Sequence, residues 1–480
     1  KNLSTYINQH DRPCLENWIN SNLLQFVQHE CDSTVQLKNN IVNVWQKFAK
    51  DKETNKSLSD NLLNNIFLMK TQTSASQRES IMLWFYSLCE NNDVEDVWKR
   101  VQGDIENLQK IKTKNPACML DLVAVRLLHK FNDLTKDEFV ALKLAISRIV
   151  DFLNDDILDV FKNYVDPFFW EVIKVDEDAA AVSATAATEE EVELVKSVFG
   201  PVIEVSKSNE QGVEQAQILI AEKKISLLKE NKRQSLEYNL VLAADFIFNN
   251  IEDWGSSEIT EAQVVANISV ILNNIFKNTK LKIVIGEIGA ECTKETRKSH
   301  ETSFSGGCSS SAYTGSATSS KRSKNICGRK ADLAVRGEEG VELALCEFKA
   351  GRDASTLKKQ EGKNLRYNQC VLEALKEYGL NRKIIAFNWG ENCGEMFSLE
   401  EIEGVFLATS INKQLILPDD PRLLNQAFVD TMIAFCAWRR HLVALNEEAF
   451  VARRMRGVGS SKKRKSFVTS FSPKWEANKK

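Results

Sequence analysis

The sequence predicts an α+β chain, with a helical N-terminal half followed by an α/β half in which a small mixed sheet is flanked by helices. Three observations carry that reading. Before Gly255, apolar residues recur at spacings of three and four, the period of a helix buried along one face. After Gly255, short apolar runs of strand length alternate with helical stretches, the texture of a layered α/β unit. Finally, 43% hydrophobic and 27% charged residues is an ordinary globular composition. No run reaches the roughly 18 consecutive apolar residues that a membrane-spanning helix needs.

The elements follow in order. Residues 1–175 read as an all-helical domain. Leu62, Ile66 and Met69 fall on one helix face, and Val123, Leu127, Leu128 and Phe131 on another, with Ser59 and Thr135 placed as N-caps. Trp18, Trp45, Trp84, Trp98 and Trp170 have no regular spacing and are read as core. Residues 176–254 read as an acidic linker and helical connector: 176–193 is Ala/Thr/Ser-rich between acidic ends, and 215–250 is helical. Ser256-Ser257-Glu258 is expected to cap a helix that runs to Asn278. Strands are expected at 281–286, 331–335 and 341–348, the last two joined by a turn at Gly337-Glu338-Glu339-Gly340. A long helix over 357–378 precedes strands at 383–387, 405–408 and 414–417, and a last helix covers 421–445. Between His300 and Ser320 a Ser/Gly/Thr tract reads as a flexible loop. Residues 255–450 thus form the α/β domain, and 451–480 a basic tail.

Several function classes are excluded. The 11 cysteines form no CxxC pair and the 5 histidines stand alone, so nothing has the clustered spacing of structural zinc. Free, mostly buried thiols are expected instead. Gly286-Glu287-Ile288-Gly289 lacks the lysine of a phosphate-binding loop. The net charge of −3 predicts no partner by itself, but its distribution does. Residues 451–480 carry Arg453-Arg454-Met455-Arg456 and Lys462-Lys463-Arg464-Lys465 against the single acid Glu476. Lys321-Arg322-Ser323-Lys324 forms a second basic cluster. Such asymmetry suits nucleic-acid contact or import into the nucleus.

One constellation carries chemistry. Asp332 stands on one expected strand, and Glu347-Phe348-Lys349 ends the next. Side chains alternate along a strand, so Glu347 and Lys349 share a face, and Asp332 joins them if the strands are neighbours. Two carboxylates at the ends of adjacent strands make a hard oxygen site for Mg²⁺ or Mn²⁺. A lysine beside it can orient or deprotonate water and offset charge on a phosphate. The Glu-x-Lys triplet also occurs at Glu222, Glu230 and Glu361, each in helical texture where positions two apart diverge. Only the one at Glu347 follows a strand and has an aspartate on the strand before it.

Asp332 followed by Glu347-x-Lys349, together with Ser257-Glu258, Gly328-Arg329-Lys330-Ala331-Asp332 and Lys363-Asn364-Leu365-Arg366, resembles the PD-(D/E)XK nuclease superfamily, the restriction-endonuclease-like fold. More narrowly, it is similar to nuclease-like proteins of early-diverging fungi. The resemblance covers about 255–445, and Ala331 stands where the superfamily carries a proline. It implies a four-stranded mixed sheet flanked by helices, Asp332 and Glu347 as ligands of Mg²⁺ or Mn²⁺, and Lys349 as the catalytic lysine. It also implies an upstream acid on the first helix, Glu258 in preference to Glu261; Glu287 qualifies by position alone. Lys359, Lys363 and Arg366, at i, i+4 and i+7, are expected to present one positive stripe to a phosphate backbone. The reading is a metal-dependent deoxyribonuclease whose helical half serves recognition or a protein partner, with a non-cutting nucleic-acid or protein binder as the alternative.

Overall fold

The computed structural model describes residues 14–21, 38, 41–43, 45–46, 76–89, 94–110, 115–173, 186–208, 211–255, 260–305, 328–351 and 353–456. The chain divides into two compact units. One comprises Lys1–Phe131, Val165–Val172 and Pro473–Lys480; the other comprises Asn132–Tyr164 and Ile173–Ser472.

The described part of the first unit is helical, as its apolar spacing requires: Leu15–Ser21, residues 76–89, α1 (Val94–Lys110), α2 (Pro116–His129) and Pro167–Val172. Asn115 starts α2 by accepting the Cys118 N–H at 3.1 Å, with Pro116 in the first turn where no donor is needed. The tryptophans serve packing. Trp18, Trp45 and Trp84 are buried, and Trp84 stacks on Trp98 at 4.5 Å between ring centres. The segment with Ser59, Leu62, Ile66 and Met69 lies outside the described residues.

The second unit holds α3 (Lys136–Ile146), β1 (Ile149–Asp151), α4 (Asp155–Tyr164), α5 (Glu189–Ser206), α6 (Gly212–Lys229), α7 (Leu236–Asn250), α8 (Glu261–Ile275), β2 (Lys282–Gly289), α9 (Glu291–Ser305), β3 (Lys330–Arg336), β4 (Glu342–Lys349), α10 (Ala354–Glu377), β5 (Ile384–Gly390), β6 (Cys393–Ile402), β7 (Val405–Ile416) and α11 (Gln426–Arg456). Thr135 starts α3 through the expected cap, a reciprocal box with Glu138. The strands form one mixed sheet of 7 in the order β1-β7-β6-β5-β4-β3-β2, parallel at β1/β7 and β4/β5 and antiparallel elsewhere.

The two faces of this sheet differ in chemistry. Against α11 it is aromatic: Phe387 meets Phe348 at 5.7 Å and Trp438 at 5.2 Å, and Trp438 Nε1 donates to Ile385 O at 2.9 Å. Under α10 it is polar: the buried Gln360, Asn364 and Asn368 donate to Trp389 O, Phe387 O and Leu345 O. Gly394 on β6 is required by packing, since a Cβ there would lie 2.4 Å from the Trp389 ring. At the β3–β4 turn Gly340 takes φ +77°, a backbone that side chains disfavour.

Several expectations are corrected. Residues 1–175 are not all helical. Ile149–Asp151 is a strand, paired in parallel with Phe406–Ala408 on β7, so α3, β1 and α4 belong with the sheet. The division falls near Phe131 and not near Gly255, because helices α5–α8 also belong to the second unit, where Arg440 of α11 pairs with Glu191 of α5 at 3.1 Å. The sheet has 7 strands where the resemblance implied four. β6 was not expected, and 414–417 continues β7 in place of a separate strand. His300 to Ser305 end α9 and are not loop; residues 306–327 lie outside the described residues. The last helix runs on to Arg456, into the expected tail, where Arg453 pairs with Glu339 at 3.3 Å. Residues 457–480 are likewise outside the description.

Candidate active site

β3 and β4 bring the sequence-predicted acids together. The ladder pairs Leu333 with Cys346, so one step further Asp332 falls opposite Glu347 on the same face. Asp332 Oδ2 accepts the Phe348 N–H at 2.8 Å, an anchor that fixes its carboxylate against β4. Glu347 is fully buried. Its Oε2 accepts from Lys363 Nζ at 2.6 Å, and its Oε1, also buried, has no hydrogen-bond partner among the described residues.

Lys349, two residues on, ends the strand. Its Nζ donates to Glu261 Oε2 at 2.9 Å and to Phe348 O at 2.7 Å. Glu261 opens α8 with Thr260 as N-cap in a capping box with Gln263. Glu258, the preferred upstream acid, and Ser256-Ser257 lie outside the described residues. Glu261, the second choice, is the acid that reaches the lysine. Thr260-x-x-Gln263 is a sequence signal that would have found this helix start. Glu287 is on β2, but its side chain is not among those described.

The electrostatics are those of a crowded, partly dry site. Burial pushes the Glu347 carboxyl up to about 7; the Lys363 charge and hydrogen bond oppose this and the Asp332 charge adds to it. Burial also raises Asp332, against the Phe348 N–H and the charges of Lys349 and Lys363.

The expected basic stripe on α10 is not one surface. Lys359 is exposed, Lys363 is committed to Glu347, and Arg366 is buried with its Nε donating to Gly362 O at 3.0 Å. Burial lowers the Arg366 guanidinium to about 10. A buried guanidinium cannot meet a phosphate backbone, so of the three only Lys359 is fully open to one.

The donor set suits a small hard cation. Mg²⁺ usually takes one or two carboxylates and completes its shell with water and phosphate. Asp332 and Glu347 supply two, and Glu347 Oε1 is a buried acceptor with no donor among the described residues. Among the described residues no three His, Cys, Asp or Glu side chains stand close enough to hold a metal without such help. A second acidic pair lies elsewhere on the sheet. Asp151 of β1 is fully buried and meets Glu361 of α10; burial raises both carboxyls. Sequence spacing gave no sign of it.

Elsewhere Cys292, Cys346, Cys370 and Cys436 are buried free thiols. Among the described residues no helix is long and apolar enough to cross a membrane. Compared with protein-family models, curated proteins and solved structures, the chain matches none of them.

Proposed function

We propose that the chain is a metal-dependent nuclease of the restriction-endonuclease-like kind, hydrolysing phosphodiester bonds of DNA. The observation that carries this is the convergence of Asp332 on β3, Glu347 and Lys349 on β4 and Glu261 at the start of α8, with one buried carboxylate oxygen of Glu347 that has no partner among the described residues. Asp332 and Glu347 would hold Mg²⁺ or Mn²⁺, which when bound supplies positive charge against a phosphate in the course of hydrolysis.

The remaining work falls to the chain. The Phe348 N–H holds Asp332 in place. The Lys349 ammonium, steered by Glu261, donates to the attacking water or to a phosphate oxygen. Lys363 holds Glu347 from the α10 side, and Lys359 is the exposed cation nearest along that helix for the DNA backbone. The basic segment Arg453 to Lys465 supports a nuclear location, which a fluorescent reporter fused to it would test.

A second reading has one observation in its favour. Lys363 on Glu347 and Lys349 on Glu261 already neutralise two of the acids. A protein that binds nucleic acid or a protein partner without cutting would be built in that way. Purified chain with supercoiled plasmid and 5 or so mM Mg²⁺ or Mn²⁺ separates the two, at roughly ordinary nuclease assay concentrations. Nicked or linear product, lost in Asp332→Ala, supports the nuclease. Retarded but intact plasmid supports the binder.

A further inference from the structure

The polar face under α10 extends past Glu347. The parallel register pairs Glu347 with Asn388 on β5, and the next pairs Asn388 with Glu395 on β6. Paired residues point to one side of a sheet. Asn388 therefore stands beside Glu347 in the row that begins with Asp332.

A chain of amides fixes which end of Asn388 faces which way. The Leu345 N–H donates to Asn368 Oδ1 at 3.0 Å, and a backbone N–H can only donate, so the acceptor end of Asn368 is settled. Asn368 Nδ2 then donates to Leu345 O at 2.8 Å and to Asn364 Oδ1 at 2.7 Å. That leaves Asn364 Nδ2 to donate to Phe387 O at 3.0 Å and to Asn388 Oδ1 at 2.8 Å. Two backbone groups, at Leu345 and Phe387, thus set every orientation in the relay. Asn388 must turn its oxygen to Asn364 and its NH₂ away.

Among the described residues that buried NH₂ has no acceptor, just as the buried Glu347 Oε1 has no donor. Adjacent strands lie about 4.8 Å apart. An unmet buried donor and an unmet buried acceptor each carry a cost, and one water molecule between side chains on neighbouring strands would satisfy both. We propose that Asn388 is a positioning residue of this site: its Nδ2–H₂ holds a water against Glu347 Oε1 and thereby orients that carboxylate toward the ion it would share with Asp332. Asn388 touches neither metal nor substrate; it acts through Glu347. The inference rests on the nuclease reading for its purpose, though not for its geometry.

Two measurements test it. The first is Mn²⁺ titration of the full chain, followed by the loss of the free-ion electron paramagnetic resonance signal, in wild type and Asn388→Ala. Outer-shell partners of metal ligands typically contribute tenfold to a hundredfold in affinity. The expected result is at least a tenfold rise in the Mn²⁺ dissociation constant, with the metal-free melting temperature little changed. Equal affinity in the two proteins overturns the proposal, as does a loss of affinity that only follows a loss of fold. The second is a high-resolution crystal structure of the wild type without metal. A water within hydrogen-bond distance of both Asn388 Nδ2 and Glu347 Oε1 is expected, and its absence overturns the proposal even if Asn388→Ala does not fold. Should wild type bind no Mn²⁺ while that water is present, the nuclease reading fails and the geometric inference stands.

Discussion

Replacing Glu347 with Gln should stabilise the metal-free protein, by an amount that grows as the pH rises from about 4.5 to about 7 and then levels off. Glu347 has no exposed surface, and its carboxyl rises from an ordinary 4.5 to about 7 because burial outweighs the Lys363 ammonium. A folded-state value above the unfolded one means that the folded chain holds the proton more tightly. The stability linked to it is complete below the unfolded value and is lost as the pH climbs through about 7. The two values differ by about 2.5, and each pH unit is worth about 1.4 kcal/mol, so about 3 kcal/mol is given up by pH 8.5. Gln has the same shape and keeps an oxygen for Lys363, yet it never ionises. Thermal melts of both proteins in chelator, from pH 5 to 8.5, read the difference. Near pH 5 the two should melt close together; by pH 8.5 the variant should lead by roughly 4 °C. A gap that stays constant with pH, or a variant that is the less stable at pH 8.5, refutes the reasoning.

Two other expectations follow from the same geometry. Lys349→Ala should cut the cleavage rate at least a hundredfold while Mn²⁺ affinity changes less than about threefold, since the ammonium meets Glu261 and Phe348 O and neither sequence-predicted ligand; single-turnover kinetics beside metal titration would show it, and equal losses in both would contradict it. Glu361→Gln should stabilise the protein increasingly from pH 5 to pH 9, because burial raises both Asp151 and Glu361 and the proton they retain is lost as pH rises; a melting-temperature difference that does not grow over that range would count against a buried carboxyl pair.

Much of the site was legible because strands announce themselves by alternation. The apolar run before Glu347 and the Asp332-bearing run before it are long enough to be strands, and their register follows from a short turn at Gly337 to Gly340. Once they pair, two-residue spacing places Glu347 and Lys349 together. The physical reasons for the misses are equally specific. Ile149-Val150-Asp151 is too short to carry a period, and it joins the sheet through β7, more than 250 residues later. β6 interleaves Gly394 and Glu395 with its apolar residues, so its sequence lacks a clean alternation. α10 buries polar residues, with Gln360, Asn364 and Asn368 against the sheet and Arg366 buried as well. A positive stripe at helical spacing therefore looked like a surface, and part of it is core. Glu258 and Glu261 are three residues apart in sequence, so spacing alone did not choose between them; α8 starts at Thr260, and Glu261 in its first turn reaches Lys349.

The central claim is that Asp332 and Glu347 share a divalent cation. Crystals grown or soaked at about pH 8, where Glu347 is ionised, and exposed to Mn²⁺ allow anomalous diffraction to locate it. The account predicts a single strong anomalous peak between the two carboxylates, with an oxygen of each at about 2.1 Å, as hard cations of this size require. Mn²⁺ missing from that position while Lys363 still sits on Glu347, or bound elsewhere with both carboxylates untouched, would contradict it.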